Sequence, residues 1–172
     1  MIELIRKRRS RRVYRDLPIP ADSLNLLEEA LLRSPTSRNR EPWKYWLVTD
    51  RKLLVTLAGS KKAGSKMLAT ASAAVVIGAN SDESDVWIED CSIAATLLQM
   101  TAESLGIGNC WVQIRLRESS NAGVSAEEYV KAALGESSSS LKIASIIALG
   151  FSDEQKEPVP AEKLKRESLT RI

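Results

Sequence analysis

The sequence predicts one globular domain, residues 1–172, of mixed helices and strands, and three observations support this. The chain has 172 residues, 44% of them hydrophobic and 27% charged, which are ordinary values for a single domain. A chain of this size buries roughly 70% of its unfolded surface, so a full core forms without disulfide or metal staples. Short fully apolar runs, Ala73–Gly78 and Leu141–Gly150, read as buried strands among longer stretches with helical spacing.

Met1–Arg8 reads as a short helix entering a basic stretch, and Pro18 and Pro20 stop it. Pro20 suits a helix first turn. Leu24, Leu27, Ala30 and Leu31 then predict an amphipathic helix to about Leu32. Ser34–Trp43 is a proline-bearing polar loop, and on its own it reads as a connector ending in a core tryptophan. Trp43–Thr49 predicts a strand, and Asp50 caps a helix that runs to about Ala58 and stops at Gly59. Lys61–Gly64 is a basic turn, and Lys66–Thr70 a short helix.

Asp85–Leu105 is the longest predicted helix. Its apolar residues cover nearly the whole circumference, which marks a helix either buried in one chain or shared between two subunits. Gly106 closes it, and a glycine turn leads into a short strand at Cys110–Val112. Trp111 occupies the third glycine position of a dinucleotide fingerprint, so that motif is excluded. Ser125 and Glu128 form a capping box for a helix to Leu134, closed by Gly135. Ser137–Ser140 reads as a flexible loop, and the polar tail after Phe151 as disordered.

The chain contains no histidine. That removes Ser-His-Asp and Cys-His catalysis and every imidazole zinc site. Two cysteines, Cys91 and Cys110, cannot build a thiolate zinc site, and no carboxylate spacing suggests a hard-metal site, so no metal is expected. Their count suits a reduced cytosol, no apolar run approaches the ~20 residues of a membrane span, and no signal-peptide core is present. A cytoplasmic location is expected. Any chemistry then belongs to a cofactor.

The basic stretch Arg8-Arg9-Ser10-Arg11-Arg12 carries the electrostatic signal. Residues 1–16 hold seven basic side chains against Glu3 and Asp16, while the remainder is slightly acidic, so the whole net charge of +3 comes from this end. Guanidinium forks fit phosphate oxygens in pairs, and serine adds a short donor. A solvated arm and a nucleic-acid arm are the alternatives.

The order of these motifs resembles the FMN-dependent nitroreductase family over nearly the whole chain. The matching pieces are Arg8–Arg12, the Ser34–Trp43 loop, Lys66-Met67-Leu68, the Ala102–Gly108 helix end, Cys110-Trp111-Val112 and Ile146–Gly150 before a proline-bearing tail. The resemblance implies an α+β fold, with a mainly antiparallel sheet flanked by helices in an intertwined homodimer. It implies FMN at both interfaces and NADH or NADPH as reductant. Nitroaromatics, quinones or similar small electron acceptors would be reduced by ping-pong hydride transfer, without nucleic acid or membrane partners and without a catalytic side chain. Arg8, Arg9, Ser10 and Arg12 would hold the phosphate and ribityl chain, joined by Lys66. Thr36, Ser37 and Asn39 would reach the flavin from the partner subunit, and backbone at Val112, Gln113 and Ile114 would face the ring. The family's glycines in that strand are replaced by Gln113 and Ile114, and its late arginine is missing, leaving Lys156 nearest. The alternatives are a flavin enzyme of another reaction, dehalogenation or flavin breakdown, and a non-enzymatic basic module.

Overall fold

A computed structural model describes residues 1–172. Its elements in chain order are α1 (Ile2–Lys7), α2 (Ala21–Leu32), β1 (Trp43–Val48), α3 (Arg51–Leu57), β2 (Ala73–Asn80), α4 (Trp87–Ser104), β3 (Gly108–Gln113), α5 (Ala126–Leu134) and β4 (Leu141–Gly150), with short 3-10 turns at Ser37–Asn39 and Lys66–Thr70. The four strands form one antiparallel sheet in the order β1-β2-β4-β3. The α+β fold class expected from the sequence is the observed one.

The sheet is covered on both faces, which is why its central strands read as continuous apolar runs rather than alternations. Ala74 and Val76 of β2 pack with Leu54 and Leu57 of α3, Leu68, Val130 of α5 and Tyr14. Ala73, Val75 and Ile77 face Leu27 and Leu31 of α2 and Cys91, Ala94, Ala95, Leu98 and Ala102 of α4. In β4 the alternation switches: Ile143 and Ile146 share one face although three residues apart. The switch is a β-bulge, because Ile77 pairs with Ser145 but Gly78 pairs with Ile143, leaving Ala144 as the extra residue.

Local chemistry sets the ends. Asp50 caps α3 by accepting the Leu53 N–H at 2.8 Å. Ser125 and Glu128 form the expected capping box of α5, and Gly135 closes it at φ 71°. Three expectations are corrected. Pro20 is the N-cap of α2 rather than its first residue. The long helix starts at Trp87 rather than Asp85, and it is two-sided: Leu98 is fully buried while Ile93 is 41% exposed. The tail is not featureless, since it carries 3-10 turns at Ala161–Lys163 and Arg166–Ser168, both exposed.

Candidate functional site

The basic stretch is fixed against the sheet. Ser10 forms a parallel bridge with Asn109 at the start of β3, and the Arg11 N–H donates to the Asn109 carbonyl at 2.9 Å. Glycine permits the close approach: a Cβ on Gly108 would lie 3.1 Å from Arg11 Cγ, and one on Gly150 would lie 2.9 Å from the Tyr14 ring. The Tyr14 hydroxyl donates to the Arg11 carbonyl at 2.7 Å. Burial pushes that hydroxyl far above its ordinary range, so it stays protonated.

The chain returns after β4 to brace the stretch from outside. The Arg15 N–H donates to the Phe151 carbonyl at 2.8 Å, and Ser152 Oγ donates to the Val13 carbonyl at 2.7 Å. The Glu154 carboxylate accepts the backbone N–H groups of Arg12 and Val13. Arg9 donates to the Glu157 carbonyl. Lys156, the basic residue nearest the family's missing arginine, is already committed: its Nζ donates to the Ser10 carbonyl at 2.5 Å and pairs with Glu154 at 3.0 Å. That geometry makes Lys156 a brace under the stretch rather than a free cation beside it.

An open hollow of about 410 Å³ is lined by Arg12, Lys62, Ala63, Gly64, Lys66 and Met67. It joins two expected residues, Arg12 and Lys66, to one that sequence reasoning missed, Lys62. No carboxylate belongs to the lining. The Arg12 and Lys66 side chains are exposed, and neither takes part in an ion pair within the chain. Arg8 and Ser10 lie half-buried outside that lining. Arg11, also missed, holds a guanidinium nitrogen buried without an acceptor. Only the chain's return over the sheet could have distinguished it from its neighbours.

Val112 and Ile114 put fully buried side chains into the core, and the Ile114 N–H donates to the Ala144 carbonyl at 3.2 Å. Gln113 folds along its own strand: its Oε1 accepts from Trp111 Nε1 at 3.0 Å and its Nε2 donates to the Arg115 carbonyl at 3.1 Å. The Asn109 carbonyl faces outward to Arg11, and backbone direction repeats every two residues, so Trp111 and Gln113 present theirs at the same open edge. Of the three strand residues expected at the ring, only Gln113 has its backbone on that edge. Neither Gln113 nor Ile114 needs a positive φ. The left-handed residue of this region is Leu116, at φ 59°.

The Thr36, Ser37 and Asn39 loop lies elsewhere. Ser37–Asn39 form a 3-10 turn in which Arg38 and Asn39 are left-handed at φ 54° and 53°, followed by Glu41 at φ 50°. The Ser37 N–H donates to Asp90 Oδ1 at 2.9 Å, and Thr36 Oγ1 accepts the Glu41 N–H at 3.0 Å. The loop enters β1 at Trp43, opposite Ala79, whereas Asn109 lies opposite Leu149 at the other end of the sheet and on its other edge. Six residue steps along β2, from Ala79 to Ala73, separate the two levels, about 20 Å at 3.3 Å per residue. One chain therefore does not bring this loop to the Arg12–Lys66 hollow.

Comparison with known proteins agrees with this architecture. The model of the nitroreductase family matches residues 5–64 and 51–151. A candidate NADH dehydrogenase/NAD(P)H nitroreductase of Archaeoglobus fulgidus is 35% identical over 121 residues, covering 68% of this chain and 69% of that protein. A similar candidate of Methanothermobacter thermautotrophicus is 28% identical, covering 66% of this chain and 61% of that protein. Among solved structures, an FMN-dependent nitroreductase of Clostridium difficile R20291 superposes with TM-score 0.95 at 34% identity, covering 99% of this chain and 98% of that one. This chain belongs to the nitroreductase family. It is an enzyme of the oxidoreductase class. No helix is long and apolar enough to cross a membrane.

Proposed function

We propose that the chain is one FMN-binding domain that works as a cytoplasmic homodimer, oxidising NADH or NADPH and reducing nitroaromatics, quinones or similar small acceptors in a ping-pong cycle. The observation that carries this reading is the Arg12–Lys66 hollow. Arg12 and Lys66 line it without an ion pair of their own, beside Lys62, which is paired with Glu118, and its volume of about 410 Å³ falls within the range of small-molecule sites. A phosphate dianion suits the Arg12 and Lys66 cations.

FMN, when bound, supplies the hydride acceptance and donation that no side chain here provides. This chain's own residues bind and orient. Arg12 and Lys66, with Arg8, Arg9 and Ser10, hold the phosphate end. The outward backbone of Gln113 faces the ring, and the folded Gln113 side chain leaves that edge open. Thr36, Ser37 and Asn39 serve the flavin of the partner subunit, because the sheet register keeps them at the far corner of their own chain. Lys156 keeps the Ser10 carbonyl in place.

Titration of the apoprotein with FMN, followed by flavin fluorescence, tests the reading. Binding near one FMN per chain is expected. Arg12→Ala should weaken it about tenfold to a hundredfold, the equivalent of ~1.5–3 kcal/mol for a charge-assisted contact. A protein that binds no FMN sinks the proposal.

A further inference from the structure

We propose that Lys61 and Arg117 form an anion subsite for the extra phosphate that distinguishes NADPH from NADH, so that this enzyme prefers NADPH. The inference rests on the flavin reading above and goes beyond it, since neither the family nor the relatives fix the choice of donor.

A second hollow, about 440 Å³, is lined by Lys61, Lys62, Ala63, Leu116, Arg117 and Glu118. It shares Lys62 and Ala63 with the Arg12–Lys66 hollow, so the two lie side by side. Gln113, whose backbone is proposed to face the ring, leads directly into the loop that carries Arg117, its Nε2 donating to the Arg115 carbonyl at 3.1 Å, so a donor that meets the ring there extends into the second hollow. FMN brings one phosphate, which the first hollow already serves. Cations in the second therefore answer to a different anion.

The charges there are not balanced internally. Lys62 pairs with Glu118. Lys61 and Arg117 have no carboxylate partner, and the Arg117 guanidinium donates only to its neighbour's carbonyl, Leu116, at 2.9 Å. Burial lowers the pKa of Lys61, and the nearby positive charge of Arg117 lowers it further. The one acid in the lining, Glu118, is taken by Lys62, so Lys61 and Arg117 leave an excess of positive charge that favours a ligand anion.

The backbone presents these cations from a fixed frame. The Arg117 N–H donates to the Ile114 carbonyl at 3.1 Å, across a turn in which Leu116 adopts the left-handed conformation usually left to glycine. The Lys62 N–H donates to the Glu118 carbonyl at 3.3 Å, and Ser120 Oγ donates to the Gly59 carbonyl at 2.7 Å, lacing the two loops together. A preorganised pair loses less on binding than two free surface chains.

Steady-state kinetics of the FMN-loaded enzyme, with NADPH and NADH compared at one fixed acceptor concentration, tests the subsite. Wild type is expected to show kcat/KM at least tenfold higher for NADPH at low salt, with the preference shrinking as ionic strength rises. Lys61→Gln with Arg117→Gln should raise KM for NADPH about tenfold or more, leave KM for NADH within twofold, and retain FMN. Glu118→Gln, which frees Lys62, should lower KM for NADPH severalfold, and this second variant decides the matter if the first does not fold. Equal use of both donors by wild type, a parallel loss for both in the double variant, or no change in Glu118→Gln overturns the subsite alone. Failure of wild type to bind FMN or to oxidise either donor overturns the flavin reading and the subsite with it.

Discussion

The Asp90 carboxylate holds Ser37: Oδ1 accepts the Ser37 N–H at 2.9 Å while Oδ2 accepts Ser84 Oγ at 3.1 Å. Asp90 is 2% exposed and no basic side chain pairs with it. Its place in the first turn of α4 supplies a favourable dipole instead. One buried carboxylate thus sets a turn whose next residues, Arg38 and Asn39, are both left-handed.

Asp90→Asn keeps the shape but places an amide where two donors point. FMN affinity should fall about tenfold, the equivalent of ~1.4 kcal/mol, while the dimer persists. Fluorescence titration beside sedimentation checks this. An unchanged affinity with a lowered unfolding midpoint would confine Asp90 to folding.

Much of the architecture was legible because it is written locally. Asp50, the Ser125–Glu128 box and Gly135 mark helix ends through short-range hydrogen bonds, and fully apolar runs mark the central strands. The strand order was not legible, since β2 pairs with β4 across sixty-odd residues and pattern carries no pairing partner. For the same reason the sequence hid the clasp between Asp90 and Ser37 and the adjacent hollows of Arg12 and Arg117, which share Lys62. Lys156 was placed by charge and position alone, and its Ser10 partner lies 146 residues away. The helix α4 looked uniformly apolar, so its sidedness became visible only when α2 and the sheet took one face.

The cysteines should be dispensable for turnover. Cys91 is fully buried, and burial, helped by the charge of Asp90, pushes its thiol up to about 12, so it is protonated at neutral pH. Cys110 is 2% exposed and its Sγ faces the Trp111 carbonyl at 3.7 Å. Cys91→Ser and Cys110→Ser should keep kcat within about twofold while each costs ~1–3 kcal/mol of stability for the buried hydroxyl. Loss of turnover in Cys110→Ser with FMN still bound would contradict a flavin-only reaction.

Acid should loosen the brace around the basic stretch at an unusually low pH. Burial raises the Glu154 pKa, but the Arg12 and Val13 N–H groups and Lys156 outweigh it, leaving the value at about 2, below the ordinary 4.5. A carboxyl depressed on folding stabilises the fold fully above its unfolded pKa and loses that contribution as pH falls through the folded one. Wild type should therefore be more stable than Glu154→Gln above about pH 4.5, and the gap should close between about 4.5 and 2. Denaturant midpoints measured across that window check it. A constant gap would locate the effect in packing.

The face proposed for the dimer is the outer side of α4. Leu98 does not test it, because that side chain is fully buried against the sheet and a charge there would break the core. Ile93, 41% exposed, points the other way, with half-buried Leu97 one turn on. A lysine at Ile93 adds a charge to an apolar face whose burial in a dimer must then desolvate it. Ile93→Lys should shift the sedimentation equilibrium toward monomer at micromolar concentration. In the proposed arrangement, where the Thr36–Asn39 loop serves the flavin of the other subunit, bound FMN should fall in proportion to the dimer. Val55→Lys serves as the control: Val55 is 53% exposed on α3, which packs on the opposite face of the sheet. It should leave both dimer and flavin unchanged. If Ile93→Lys stays dimeric with its FMN, the subunits meet elsewhere. If it becomes monomeric and still binds FMN at full strength, the Thr36–Asn39 loop plays no part in the partner's site.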